Sequence, residues 1–184
     1  MIIFMGVAGS GKSLQGRMLA DNLGLPWLST GEFLRMLVTG SVRKEMLSGK
    51  LLEDKHIIAL VQQVLELVET SENFVLDGFP RTVNQTEWLL SQVKYEQLRV
   101  DAIVHLTASK EVVMERLLSR GRVDDSRQAI ADRINEFEDT AKDIIDRFKK
   151  ADIPVIDIKS EGDIHRIHQE IVAALEGVPG CIPE

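Results

Sequence analysis

The chain has 184 residues, of which 44% are hydrophobic and 28% are charged, a composition typical of one globular domain that buries a core. Its formal net charge is −7, so we do not expect it to bind nucleic acid through its overall electrostatic field. No segment is basic and amphipathic, and no apolar run approaches the roughly 20 residues of a membrane span, so we expect no membrane attachment. A bound anion would have to be held by a local cluster of positive charge.

The cysteine content favours a cytoplasmic protein. Cys181 is the single cysteine, so no disulfide can form within the chain, which is typical of a reducing compartment. No charged leader precedes the apolar N-terminal residues, so we expect no signal peptide. The last residues, GVPGCIPE (177–184), are expected to form a frayed tail with an incidental thiol.

The first strand-length run, MIIFMGV, leads into a glycine-rich turn. Gly6–Ser13 matches the pattern G-x-x-x-x-G-K-[ST], and a helical run from Leu14 to Leu23 follows. Glycines let backbone amides approach a ligand closely, and those amides form an anion cradle with the helix N-terminus. Lys12 adds charge for the outer phosphates, and the Ser13 hydroxyl can face Mg²⁺. The turn predicts a nucleoside triphosphate site; the alternative is a simple strand-to-helix connection with a solvated lysine.

The next strand-length runs are LPWLS and NFVLD, separated by apolar residues at helical spacing from Ile57 to Val68. Asp77 ends the NFVLD run, and α/β sheets bind ligands at the carboxyl ends of their strands. A carboxylate there can position Mg²⁺ through water; the alternative is a helix cap or an ion-pair partner. Arg81 follows a Gly-Phe-Pro turn that would hold it rigidly for a phosphate; the alternative is a surface arginine.

Four arginines follow the fourth run, DAIVHL. Arg116 and Arg120 are four residues apart and share one helix face, and Arg122 lies just beyond them. Arg133 lies beside the apolar stripe of the next helix, so we expect it to be partly buried. Together they predict a polyphosphate clamp. The alternative is a solvated surface, balanced by Asp124, Asp125, Asp132 and Glu136. Residues 123–125 are either a hinge that pairs with the arginines or a helix N-cap.

The remaining pattern completes the fold prediction. Apolar residues from Ile130 to Phe148 are spaced four and three apart in alternation, as on one face of a helix, and IPVIDI is the fifth strand-length run. Several of the five runs are continuously apolar, which is typical of strands buried on both faces. We therefore predict an α/β fold with a doubly wound, five-stranded parallel sheet and helices on both faces.

A phosphate-binding turn combined with several arginines favours phosphoryl transfer over simple hydrolysis. A phosphoryl group moving between two phosphates gathers negative charge on both sides, and arginines stabilise that charge without covalent chemistry. No general base is evident, and an acceptor phosphate, which is already ionised, does not require one.

The ordered motifs GVAGSGKS, LSTGEFLR, GKLL, LDGFPRTVNQ and RLLSRGRVDD, with an arginine eleven residues beyond Arg122, resemble the adenylate kinase family of nucleoside monophosphate kinases in its short-lid form. The resemblance runs nearly from end to end. It implies one P-loop kinase domain over residues 1–184, acting as a monomer on ATP and AMP with Mg²⁺ and forming two ADP. A monophosphate-binding insert would span about residues 30–59, and a minimal lid about residues 120–126.

The resemblance also implies residue roles. The transfer would depend on Lys12, Arg81, Arg120, Arg122 and Arg133. ATP would contact Gly9, Ser10, Gly11, Lys12, Ser13, Leu14, Arg116, Arg120 and Gly162, with Arg116 stacked over the base. AMP would contact Thr30, Arg35, Lys50, Leu51, Leu52, Gly78, Arg81, Gln85, Arg122 and Arg133. Mg²⁺ would lie near Ser13 and Asp77, held through water.

The sequence departs from the family pattern in three places. Leu14 stands where the family has threonine, the stretch between Arg35 and Gly49 is shortened, and the lid lacks a long insertion and zinc cysteines. Thr30 and Gln85 favour AMP as the acceptor, because an amide can form paired hydrogen bonds with an adenine edge. Two alternatives stay open: a kinase for UMP, CMP or dAMP, and a nucleotide-binding module that has lost catalysis.

Overall fold

The computed structural model describes residues 1–37, 39–40, 52–68, 73–122 and 125–182. Within them, five strands form one fully parallel sheet in the order β2-β3-β1-β4-β5. The strands are β1 (Ile2–Met5), β2 (Trp27–Ser29), β3 (Val75–Asp77), β4 (Ala102–Thr107) and β5 (Val155–Lys159). Three strands lie within the predicted apolar runs, and β4 and β5 each extend one residue beyond theirs, so the predicted parallel sheet is confirmed.

Helices connect these strands. In chain order they are α1 (Lys12–Leu23), α2 (Thr30–Leu37), α3 (Asp54–Glu66), α4 (Val83–Lys94), α5 (Lys110–Arg120), α6 (Arg127–Lys150) and α7 (Ile164–Glu176). The predicted α6 stripe is confirmed, since its apolar positions from Ile130 to Phe148 face the core. The α3 stripe was predicted to reach Val68, but the helix ends at Glu66. None of the helices in these described ranges combines the length and apolar content needed to cross a bilayer.

The core lies on both faces of the sheet. Ile3 and Met5 of β1 pack on one face with apolar residues of α3, α4 and α6. Ile2 and Phe4 pack on the other face with residues of α1 and α7. Because successive side chains of a strand point to opposite faces, a strand covered on both sides is apolar at every position. This burial explains why several of the strand-length runs are apolar at consecutive positions rather than at every second position.

The strand order brings the carboxyl end of β1 to the centre of the sheet. Strands β2 and β3 lie on one side of β1, and β4 and β5 lie on the other. Connections therefore leave in opposite directions beside β1, and doubly wound sheets bind ligands in the crevice that this divergence opens. The glycine-rich turn between β1 and α1 begins at this point.

The C-terminal segment packs against the domain, so the expectation of a frayed tail is wrong for residues 177–182. Cys181 is fully buried in the cluster that includes Ile171 and Leu175 of α7. The Asn73 side chain donates a 2.6 Å hydrogen bond to the Gly180 carbonyl. The proline and glycine content is typical of a tail, but the apolar side chains between them complete one face of the core.

Native Cys181 should react with a thiol reagent far more slowly than the unfolded chain does. Burial raises the pKa of its thiol from 9.0 to about 11, so at pH 8 the thiolate fraction falls by roughly 100-fold, and access is restricted as well. Labelling with a colorimetric disulfide reagent, with and without urea, measures the difference. Equal rates in the two conditions would show that the segment does not dock in solution.

Candidate functional site

A cleft opens above the carboxyl ends of the central strands, and most of the predicted site residues line it. These are Gly9, Gly11, Lys12, Ser13, Leu14, Arg35, Asp77, Arg81, Arg116, Arg120, Arg122 and Arg133. Gly78 lines a small cavity that shares Lys12, Arg81 and Arg133 with the cleft. The cleft lining does not include Ser10, Thr30, Leu52, Gln85 or Gly162. Lys50 and Leu51 lie outside the described residues.

The glycine-rich turn is shaped by left-handed backbone at two of its glycines. Gly9 has φ +86° and Gly11 has φ +91°, values that other residues rarely adopt. A Cβ at Gly9 would also lie 2.8 Å from Cγ of Leu117 in α5. The turn can therefore pack this closely against α5 only with glycine at position 9. Gly11 is the N-cap of α1 and has no side chain to bond the first-turn amides. Those amides and the positive end of the helix are therefore suited to an anion from outside the chain.

Lys12 lies at the base of this cradle, where its Nζ donates a 3.2 Å hydrogen bond to the Val7 carbonyl. The pKa of Lys12 is lowered from 10.5 to about 8, mainly by burial and to a lesser extent by the charges of nearby arginines. Asp77 opposes that shift. The ammonium group thus lies in a strongly cationic surrounding that an added anion would relieve.

Asp77 ends β3 and presents one free carboxylate oxygen. Its Oδ2 accepts hydrogen bonds from the hydroxyls of Ser13 at 2.6 Å and Ser29 at 3.1 Å. Its Oδ1 is buried and has no hydrogen-bond partner among the described residues. Buried polar atoms are normally satisfied, so an orphaned carboxylate oxygen beside a cationic cleft fits the water shell of a Mg²⁺ ion. Sequence reasoning missed Ser29, which lies 48 residues from Asp77 in the chain.

Two of the clamp arginines converge on Asp125. Arg120 binds the carboxylate with two hydrogen bonds, at 2.9 Å and 2.8 Å, and Arg133 binds it at 3.1 Å. Burial alone would raise the pKa of Asp125, but the two guanidinium groups hold it below its usual value. The N-cap of α6 is Ser126 and not Asp125. The prediction that Asp125 pairs with the arginines is therefore confirmed, and the alternative that Asp125 is a helix N-cap is wrong. Val123 and Asp124 lie outside the described residues.

The exposure of these arginines matches the predicted clamp better than a solvated surface. The Arg133 side chain is 16% exposed and the Arg120 side chain is 32% exposed, whereas their shared carboxylate is fully buried. Arg120 and Arg133 thus bind an oxyanion, the buried Asp125 carboxylate, through charge-assisted hydrogen bonds. The same geometry suits a phosphate group.

Arg116 joins the glycine-rich turn to the loop after β5. One Nη donates to the Ser160 carbonyl at 2.8 Å, and the other donates to the Gly9 carbonyl at 3.4 Å. Its guanidinium plane is therefore fixed at one end of the cleft. Gly162 belongs to the same loop and has φ +102°. Arg35, which also lines the cleft, forms a 2.6 Å ion pair with Glu32.

Arg81 is held by its own turn, as the sequence predicts. Its Nε donates a 2.8 Å hydrogen bond to the carbonyl of Gly78. Gly78 has φ +82°, and a Cβ there would come within 2.9 Å of both Arg81 Nη2 and Thr30 Oγ1. Thr30 is buried and donates a weak 3.3 Å hydrogen bond to the Asp77 carbonyl. Because residue 78 is a glycine, Asp77, Thr30 and Arg81 can approach one another closely.

The Gln85 amide is bound on both sides within the protein. Its Oε1 accepts the Arg81 backbone N–H at 2.8 Å, and its Nε2 donates to Asp54 Oδ1 at 2.8 Å. The side chain is 2% exposed, so a base could reach it only after the groups that cover it move apart. Sequence reasoning missed Asp54. An acidic residue at the start of a periodic apolar stretch signals a helix N-terminus, but it does not reveal a partner on another helix.

Comparison with known proteins agrees with this geometry. A family model described as Adenylate kinase matches residues 4–153. Proteins named Adenylate kinase from Corynebacterium urealyticum and Prochlorococcus marinus are 32% and 31% identical over 181 and 180 residues. Each match covers 95% of this chain, and it covers 98% and 96% of the respective relative. A protein of the same name from a Mycobacterium species is 29% identical over 180 residues, covering 95% of this chain and 98% of its own length. Since the family model spans most of the chain, including the glycine-rich turn and the arginine cluster, this protein belongs to the adenylate kinase family.

Proposed function

We propose that this protein transfers the γ-phosphoryl group of ATP reversibly to AMP, giving two ADP. The observation that carries the proposal is the convergence of Lys12, Arg81, Arg120, Arg122 and Arg133 around one cleft in a chain of net charge −7. A cationic cleft in an acidic protein concentrates anionic substrates locally. The family membership and the names of the relatives support ATP and AMP as those substrates.

We place the ATP phosphates on the amides of the glycine-rich turn, at the N-terminus of α1 and beside Lys12. Ser10, Ser13 and Leu14 belong to that turn and its helix. Arg116, fixed between two backbone carbonyls, offers its flat face to the ATP base. Gly162, in the loop that Arg116 contacts, would border the same base.

We place the AMP phosphate at Arg81, with Thr30, Arg35 and Gly78 around it. Arg122 and Arg133 lie between the donor and acceptor positions in this arrangement. The acceptor oxygen is already ionised at neutral pH, so the side chains need only orient it and balance its charge. The base would contact Gln85 and the segment containing Lys50, Leu51 and Leu52, of which only Gln85 and Leu52 are among the described residues.

The arginines then stabilise the charge that builds up during transfer. Arg120 and Arg133 would exchange the Asp125 carboxylate for phosphate oxygens, which present a similar set of acceptors. Mg²⁺, when bound, would neutralise charge on the transferred group, and Asp77 with Ser13 would hold its water shell. Closure over both nucleotides would exclude water and so favour transfer over hydrolysis.

We infer that one chain forms the whole catalytic unit. The cleft lining combines residues from both halves of the sheet, which supports a single P-loop kinase domain and a monomer. The insert at about residues 30–59 and the lid at about residues 120–126 are assigned by the resemblance; part of each lies outside the described residues. The single cysteine supports a cytoplasmic location.

ADP formation should require both ATP and AMP. A coupled assay with ATP and Mg²⁺, in which AMP, CMP, UMP, dAMP or no acceptor is supplied, measures the requirement directly. We expect turnover with AMP to exceed turnover with each of the others. Faster turnover with CMP or UMP would assign a different acceptor. No turnover under any condition would support the binding-module alternative, and ADP formed without an acceptor would indicate hydrolysis.

Replacing Arg81 by alanine should lower kcat by about 100-fold or more, because a preorganised donor to the acceptor phosphate is lost. The melting temperature should change little, because the hydrogen bond of the Arg81 side chain within the described residues is to the carbonyl of its own turn. Arg147→Ala is a matched control, because Arg147 forms an ion pair with Glu87 away from the cleft. If Arg81→Ala kept its turnover within twofold of the control, the acceptor phosphate would lie elsewhere.

ATP binding should take up protons between about pH 8 and 9. The pKa of Lys12 is about 8 in the free protein, so a growing fraction is neutral above that pH. Triphosphate oxygens favour the charged form and raise the pKa, so the bound state holds more protons and ATP affinity falls as the pH rises through 8. Calorimetry in two buffers of different ionisation enthalpy counts the protons. Lys12→Met should bind ATP weakly and show none of this uptake.

A further inference from the structure

We propose that Asp54 is a specificity-determining residue that fixes the orientation of the Gln85 amide, so that the acceptor site selects bases with an amino group on the edge that Gln85 reads. The proposal rests on the proposed function, in which Gln85 contacts the acceptor base. It concerns a residue that sequence reasoning did not identify. It also assigns the selection to a contact between two helices rather than to Gln85 alone.

The chemistry of its two neighbours determines which way the Gln85 amide points. The backbone N–H of Arg81 can only donate, and it lies 2.8 Å from Oε1. The carboxylate of Asp54 accepts, and its Oδ1 lies 2.8 Å from Nε2. A reversed amide would place its NH₂ group against the N–H and its oxygen against the carboxylate. Both contacts would then become repulsive, so the orientation is fixed.

Asp54 is itself held in place by the start of α4. Its Oδ1 also accepts the Thr82 hydroxyl at 2.9 Å. Thr82 caps α4, and its hydroxyl oxygen accepts the Gln85 backbone N–H at 3.2 Å. Asp54, Thr82 and Gln85 thus form a closed ring of three hydrogen bonds that ties the first turn of α3 to the first turn of α4. The carboxylate also lies at the N-terminus of α3, where the helix dipole favours its charge.

Within the part of the chain that the structure describes, these two bonds leave the amide with one N–H and one oxygen lone pair. Adenine presents an amino donor next to a ring-nitrogen acceptor, which complements a free lone pair beside a free N–H. Hypoxanthine and guanine present a carbonyl next to a ring N–H, which is the reverse pattern. Among the pyrimidines, cytosine has the adenine pattern of an amino group next to a ring-nitrogen acceptor, and uracil has the reverse pattern. The fixed amide therefore distinguishes amino bases from keto bases, and the size of the pocket must separate purine from pyrimidine.

Asp54→Asn removes the constraint with little change in shape. An asparagine can donate as well as accept, so it tolerates either orientation of Gln85, while the Arg81 N–H still favours the original one. We expect the preference for AMP over IMP to fall about tenfold, the value of one charge-assisted hydrogen bond. A purely structural role would weaken both ligands alike. The readout is the ratio of dissociation constants for AMP and IMP, measured by calorimetry on the full chain with its melting temperature.

Glu87→Gln is the matched control. It removes one negative charge two residues from Gln85, from an exposed side chain that pairs with Arg147. The control should keep the wild-type AMP-to-IMP ratio. If Asp54→Asn keeps that ratio too, Asp54 does not set specificity.

The wild-type protein gives a second test that does not depend on how a variant folds. We expect AMP to bind more tightly than the monophosphate of unsubstituted purine riboside, and IMP to bind most weakly, because IMP adds a repulsive contact where purine only lacks a bond. Wild-type protein that binds AMP and IMP equally would overturn the proposal even if it phosphorylates AMP. Selective AMP binding without phosphoryl transfer would instead overturn the proposed function and leave the role of Asp54 standing.

Discussion

The organisation of the cleft depends on balancing positive charge that has been taken out of water. Burial lowers the pKa of Lys12, and the arginines around it add to the shift. Two carboxylates offset positive charge in the cleft: Asp77 raises the pKa of Lys12, and Asp125 pairs with Arg120 and Arg133. Since unpaired charges in a low-dielectric site are strongly destabilising, the positions of the two carboxylates limit where cations can be placed. The buried positive charge of the cleft is therefore partly balanced within the protein, and under the proposed function a polyphosphate adds to that balance.

The parallel sheet makes this balance possible. In the sheet register Asp77 lies opposite Phe4 of β1 on one side and opposite Ser29 of β2 on the other. Asp77, the end of β1 that leads into the glycine-rich turn, and Ser29 therefore lie at the same level of the sheet. A slip of β3 by one residue would turn Asp77 to the other face of the sheet. The pairing of β3 with β1 on one side and with β2 on the other holds it in the observed register. Core residues outside the cleft thus set the position of the Asp77 carboxylate.

Local features were predictable from the sequence, and long-range pairings were not. The glycine-rich turn, the five strands and the α6 stripe were predicted from short sequence patterns, because the conformation of each segment depends mainly on residues close together in the chain. The position of Asp77 follows from the end of a strand. The pairings of Ser29 with Asp77 and of Asp54 with Gln85 join residues 48 and 31 positions apart, and no local pattern specifies such a partner. The C-terminal segment misled the prediction because its turn residues are conspicuous, whereas burial of Cys181 depends on a surface formed by distant helices.

The Asp125 contacts give the ligand-free protein an anion of its own. Under the proposed function, nucleotide binding at Arg120 and Arg133 is an exchange of one anion for another rather than an addition. The net charge around these two arginines then changes less than it would if they stood alone. Each product that leaves is replaced by a carboxylate tethered a few residues away, whose effective concentration does not depend on the surrounding solution. The Asp125 carboxylate therefore competes with bound nucleotide for the two arginines. This competition limits how tightly the cleft can bind a nucleotide and favours release of the products.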